Sequence, residues 1–219
     1  MATVAELKSY VQRIIQDSSF DDDIVGYLNQ AQLEIAGGMQ SALGDWITPV
    51  LPDLLTIDTI TTSVDDAYVS MPSDFQKRLQ FVASAAGAEI DIEDDFIGFV
   101  ETYPLLDQSG AITSVIEKGG KFYYQGIPTE AIDITIHYYR TPVDMSLDAT
   151  DVPDGIPVHL QKELLVNHAA WKLFELIEDG IEGIGVNTQR YMELFYRALK
   201  VLELSIPYQR RGFNLLKDN

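Results

Sequence analysis

Apolar residues change their spacing twice along this chain, and that double change constrains the fold more than any other feature. Val4, Leu7, Val11, Ile14 and Ile15 recur at helical spacing, which predicts a helix over residues 3–17. Thr3, with Glu6 three residues on, has the pattern of a capping box. Ser18 and Ser19 interrupt the run. A second helix is expected from Asp21, whose carboxylate can cap free amides and, with Asp22 and Asp23, face the positive end of the helix dipole. Its apolar face is Ile24, Tyr27, Leu28, Ala31 and Ile35, and Gly37-Gly38 weakens or ends it. So short a link predicts an antiparallel pair.

From residue 51 to 142 the period becomes that of strands, in a stretch rich in Thr, Val, Ile and Tyr with Gly and Pro as punctuation. Leu55, Ile57, Thr59 and Thr61 share one face of an extended segment. Tyr68, Val69 and Met71 form a short strand ended by Pro72. Further strands are expected at 79–84, 88–92, 111–116 and 121–124. The clearest spans 132–140, where Ile132, Ile134, Ile136 and Tyr138 alternate with Asp133, Thr135, His137 and Tyr139. Gly119-Gly120 reads as a hairpin turn. A short helix over 94–103 would bury Phe96, Phe99 and Val100.

Helical spacing returns after the acidic loop 144–155. Pro157 suits a first helical turn, and 157–179 carries Leu160, Leu164, Leu165, His168, Trp171, Leu173, Phe174 and Ile177 on a wide apolar face. Gly180, Gly183 and Gly185 mark a loop, Asn187 or Thr188 starts the last helix, and Pro207 ends or kinks it. The expected fold class is therefore α+β, mainly an antiparallel helix bundle from the N- and C-terminal helices with a β-rich insertion leaving one end. The boundaries fall at 1–48 for the first helices, 49–145 for the insertion with its short helix, 146–206 for the last helices and 207–219 for an extended tail.

At 219 residues the chain is long enough to bury a sizeable core. It has no cysteine, which excludes disulfides, thiolate metal sites and a cysteine nucleophile. No apolar run approaches a bilayer span, and the start MATVAELKSY lacks the layout of a signal peptide, so the protein is expected to be made and used without crossing a membrane. The net charge of −19 argues against a general nucleic-acid binder, which needs a basic face. The charge is uneven: residues 1–189 hold 9 basic and 31 acidic side chains, residues 190–219 hold 6 and 3. Such a tail suits docking on an acidic partner, or its basic residues complement a helix dipole.

The sequence holds no recognisable catalytic or metal-binding motif. His137 lies on the polar face of a strand, His159 in a first helical turn, and His168 beside Trp171 on an apolar helix face, where a satisfied core residue is the expected role. None stands at metal-ligand spacing with a second ligand. Gly119-Gly120-Lys121 lacks the upstream glycine and following hydroxyl of a phosphate-binding loop. Asp144, Asp148, Asp151 and Asp154 resemble a calcium loop without its glycine and closing glutamate, Gly155 standing in the latter's place. No catalytic residue, metal or cofactor is expected. Tyr123-Tyr124 and Tyr138-Tyr139 are adjacent pairs, so each puts one ring outward if its strand is half-buried; Tyr123 and Tyr139 are the candidate subunit-interface residues.

The segments YLNQAQLEIAGG at 27–38, LPDLLTIDTITT at 51–62, AYVSMPSDFQKRLQFV at 67–82, ITIHYYRTPVDMS at 134–146 and GIPVHLQKELLVNHAAWKLFELIEDG at 155–180 resemble, in that order, the head-to-tail adaptor (connector) proteins of tailed phages. The resemblance spans about residues 5–205. It implies a structural, non-enzymatic virion protein at the head–tail junction: a homo-oligomeric ring, commonly dodecameric, that docks on the portal, extends the DNA channel and offers the attachment surface for the tail or the next connector. Double-stranded DNA would pass without specific binding, as an acidic lumen would favour. Arg210 and Arg211, with Phe213, Leu215 and Leu216, would dock on the portal. Another virion ring protein, such as a tail-completion or tail-terminator subunit, is the alternative; a small hydrolase would need a convergent acid–base pair that the histidines do not offer.

Overall fold

The computed structural model describes residues 1–40, 46–47, 51–102, 104–146, 148, 150–179 and 185–205. The chain divides into two compact units, Met1–Leu51 with Pro142–Asn219, and Pro52–Thr141.

In the first unit, α1 (Val4–Ile15) opens on the expected capping box: Thr3 Oγ1 accepts from the Glu6 amide at 3.3 Å, and Glu6 Oε2 accepts from the Thr3 amide at 3.0 Å. It buries Val4, Leu7, Val11 and Ile15. The link to α2 (Ile24–Gly37) is a 3-10 turn, Ser18–Phe20, capped by Asp17. Asp21 closes that turn rather than capping α2, whose N-cap Asp23 makes no side-chain cap. Gly38 ends α2 at φ 97°, a conformation glycine adopts without strain. Two short strands follow, β1 (Met39–Gln40) and β2 (Trp46–Ile47), paired antiparallel. After residue 142 an irregular segment leads through a 3-10 turn, Val158–Leu160, and a π turn, Lys162–Val166, into α4 (Asn167–Ile177) and then α5 (Val186–Ser205). α4 packs against α1, α2 and α5.

In the second unit, β3 (Leu55–Thr61), β5 (Phe75–Ser84) and β9 (Asp133–Arg140) form an antiparallel sheet ordered β3-β9-β5. A four-stranded sheet runs β4 (Tyr68–Ser70), β8 (Lys121–Gln125), β7 (Ser114–Lys118), β6 (Asp91–Ile92), with only β6–β7 parallel. The turn between β7 and β8 is Gly119-Gly120, at φ 61° and 75°; positive φ at both positions is what a two-residue hairpin with native twist demands. α3 (Phe96–Thr102) starts on Asp95, whose carboxylate accepts from the amides of Ile97 and Gly98, both at 3.1 Å. Ile60, Met71, Leu79, Val82, Ile90, Val115, Phe122, Tyr124, Ile134, Ile136 and Tyr138 make one buried cluster.

These observations correct the expected fold class. The chain is mixed α+β, and it is not mainly a helix bundle with an excursion. The strand segment is a compact unit of its own because its alternating residues supply apolar faces that bury one another. The helices, in turn, pack on one another and are also stitched to irregular chain. Gln32, fully buried on α2, donates from Nε2 to the Val143 carbonyl at 2.7 Å and accepts at Oε1 from the Asp154 amide at 2.8 Å. Asn29 exchanges two 2.9 Å bonds with the backbone of Met145. Gln161, also buried, accepts from the Ala2 amide at 3.1 Å and donates to the Ile156 carbonyl at 3.1 Å. The Val4 amide, unpaired within its own helix, donates to the Asp151 carbonyl at 2.8 Å.

Candidate interaction surfaces

Among the described residues no group of His, Asp and Glu is arranged to hold a metal ion. The acidic run is used instead to shape its own loop. Asp151 accepts from the Ser146 amide (2.8 Å) and hydroxyl (2.7 Å), Asp148 from the Thr150 amide (2.9 Å) and hydroxyl (2.8 Å), and Asp154 from the Val143 amide (2.8 Å).

His168 is fully buried on α4, and its Nε2 lies 2.9 Å from Glu34 Oε2 on α2. The hydrogen bond with His168 is the main cause of a lowered Glu34 pKa, with burial opposing it. Rings seal the imidazole edge-on: Trp171 at 5.5 Å and Phe195 at 5.1 Å between centroids. The buried imidazole thus joins α4 to α2, while the Glu34 side chain stays 32% exposed. His159 is exposed, and His137 is half-buried with its ring edge-on to Phe81 at 5.4 Å.

Glu178 was not singled out by any pattern, yet it is among the most heavily bonded side chains. It accepts from the Asn187 amide and side chain (3.2 and 2.9 Å) and from the Thr188 amide and hydroxyl (2.9 and 2.7 Å). A carboxylate from the end of α4 thus caps the first turn of α5, which begins at Val186. These bonds, the Thr188 hydroxyl first, pull its pKa down to about 2. Asn187 and Thr188, expected as the start of the last helix, are donors to a cap nine and ten residues upstream.

The two interface tyrosines are not brought together. Tyr123 lies on β8 and Tyr139 on β9, in different sheets. Tyr123 is half-buried, with its ring 5.5 Å from Tyr68 and 5.2 Å from Phe96, while the Lys121 ammonium sits 3.9 Å over Tyr68. Tyr139 corrects the expectation of an outward ring, being only 3% exposed. β9 is the central strand of its sheet, and both tyrosines of the pair Tyr138-Tyr139 are covered, so alternation gave two buried rings instead of one. Arg210, Arg211, Phe213, Leu215 and Leu216 lie outside the described residues, as does Pro207.

The apolar exposure falls elsewhere. Register places Ile57 and Phe81 on either side of His137, and Leu55 opposite Tyr139, all on one face of the three-stranded sheet. Ile57 is 65% exposed, Leu55 40% and Phe81 36%, which makes an apolar row on a strand surface. On α3, Ile97 is also exposed.

The chain matches the SU10 adaptor protein family over residues 2–213, nearly its whole length, and belongs to that family. Its role is that of a structural adaptor of a phage virion, in agreement with the resemblance carried by its segments. No curated protein matches the chain. No helix among the described residues is long and apolar enough to cross a membrane.

Proposed function

We propose that this adaptor assembles as a ring, commonly of twelve copies, at the head–tail junction. There it docks on the portal, extends the DNA channel and carries the tail or the next connector. Membership of the adaptor family is the observation that carries the reading. The net charge of −19 supports a channel role, since acidic walls repel phosphates and let double-stranded DNA slide without binding. Exposed Ile57, Leu55 and Phe81 supply apolar surface of the kind that assembly covers. Tyr123, with its aromatic neighbours, is the remaining tyrosine available to a side-to-side contact. Arg210 and Arg211 pair with acidic groups of the portal, and Phe213, Leu215 and Leu216 fill apolar pockets there.

The test is to mix purified chain with portal rings and to measure mass and class averages with and without the portal. Closed rings stacked coaxially on the portal are the expected result, and failure to bind the portal refutes the reading. Deleting 208–219 should abolish attachment while leaving the remainder folded; undiminished attachment of that variant removes the tail from the docking role.

A further inference from the structure

The strand β3 is an edge of its sheet, paired on one side with β9. Among the described residues no strand pairs with its other side. The Thr62 amide donates to the Ile132 carbonyl, so Thr56, Asp58, Ile60 and Thr62 turn their backbone groups toward β9. By alternation, Leu55, Ile57, Thr59 and Thr61 turn theirs outward. Five of the seven strand residues are exposed: Leu55, Ile57, Asp58, Thr59 and Thr61. A β-rich, proline-free edge of this length is a template for another strand, and proteins that keep such an edge guard it.

Here the guard is visible. Asp58 Oδ1 accepts the outward amide of Thr59 at 2.7 Å. One carboxylate thereby occupies one of the four outward donors of the edge. It also sets a charge filter. A strand that pairs with β3 must displace that carboxylate from the Thr59 amide and meet it as a cross-strand neighbour. A basic side chain opposite gains an ion pair; an acidic one is repelled. The unit carrying β3 has 15 acidic and 5 basic side chains, so a second copy brings like charge to the same place.

We infer that β3 is a strand-addition site for an extended segment of another protein that carries Lys or Arg where it passes Asp58, and that Asp58 is its selectivity gate. The incoming segment adds backbone hydrogen bonds at Leu55, Ile57, Thr59 and Thr61 and extends the sheet whose face bears Ile57 and Phe81. The inference rests on the strand and its charge, not on the portal reading.

The test uses the full chain, isotope-labelled for amide NMR. It is titrated with the peptide Gly-Thr-Val-Thr-Lys-Thr-Val-Thr-Gly and with its counterpart bearing Asp at the centre. The lysine peptide should shift the amides of Ile57, Thr59 and Thr61 and slow their exchange, leaving those of Thr56, Asp58 and Ile60 unchanged. It should bind at least about fivefold more tightly than the aspartate peptide. Thr59→Pro removes the outward amide without touching the β9 ladder and should abolish binding. Asp58→Lys, a separate variant, should reverse the peptide preference. Equal affinities, a response without the odd–even pattern, no response to the lysine peptide, or self-association of the chain through these amides overturns the inference.

Discussion

Replacing Gln32 by Met tests whether the irregular segment after residue 142 is held to α2 by amide side chains. Methionine matches glutamine in length and helix propensity, so the change leaves the volume nearly intact and removes only hydrogen bonds. Two are lost, at 2.7 and 2.8 Å, to partners 111 and 122 residues away. Each net bond contributes about 1 kcal/mol, and a stranded backbone group costs about 1–3 kcal/mol less whatever water restores. Val143 is 66% exposed, so its carbonyl regains water readily. Taken together the variant should lose about 2 kcal/mol. Urea unfolding followed by far-ultraviolet circular dichroism should show the midpoint fall by about 1 M at a slope typical of small proteins. Amide exchange at Asp154 should accelerate at the same time. Gln30→Met is the control, because Gln30 bonds only Glu34 one turn away and should change stability by less than about 0.5 kcal/mol. If Gln32→Met falls within the control's range, the stitching argument is wrong.

Three further outcomes follow from the geometry. The Glu178 pKa is lowered on folding from 4.5 to about 2, so the stabilisation it gives is complete above about pH 4.5 and is lost as the pH falls toward 2; thermal melts of wild type and Glu178→Gln should converge over that range. A Cβ at Gly185 would stand 1.8 Å from Glu178 Oε2, so Gly185→Ala should displace the carboxylate and show the same loss of acid dependence in those melts. Tyr124 is fully buried, and its hydroxyl accepts from the Ser63 amide at 2.8 Å and donates to the Asp66 carbonyl at 2.6 Å; Tyr124→Phe should cost about 1–3 kcal/mol and speed exchange at Ser63, while the Tyr124 amide, bonded to the Ala67 carbonyl, stays protected.

What could be read from the chain was what depends on near neighbours. Thr3 and Glu6 found each other because a capping box needs only three residues of separation. The alternation Ile132 to Tyr139 marked β9, and Gly119-Gly120 marked the hairpin, since period and φ are local properties. His168 was legible as a core residue from its apolar helix face, although its partner Glu34 lies 134 positions away and left no trace. β5 begins at Phe75, earlier than its apolar run suggests, because three register shifts against β9 carry polar Gln76 and Lys77 within a strand that breaks strict alternation. Tyr139 was misjudged because exposure depends on which strands flank β9, and pairing order is not written in the spacing. The helix-bundle expectation failed for a related reason: Asn29 and Gln32 look like solvated helix positions until chain 111 to 122 residues distant folds over them.

The antiparallel pairing of β3 with β9 places Leu55 directly opposite Tyr139. The strand unit therefore starts and finishes at neighbouring points, and once folded it behaves as a short bridge between the two halves of the helical unit. The path from Gln32 to Val143, 111 residues in an open chain, shrinks to about a quarter of that length, which lowers the loop-closure cost by about 1 kcal/mol. During synthesis α1 and α2 leave the ribosome well before their partner α4 exists. If the strand unit folds as a unit, it should form before α1 and α2 can close on α4. Mutations that weaken β3–β9 pairing should then slow the maturation of a helical core that belongs to the other unit.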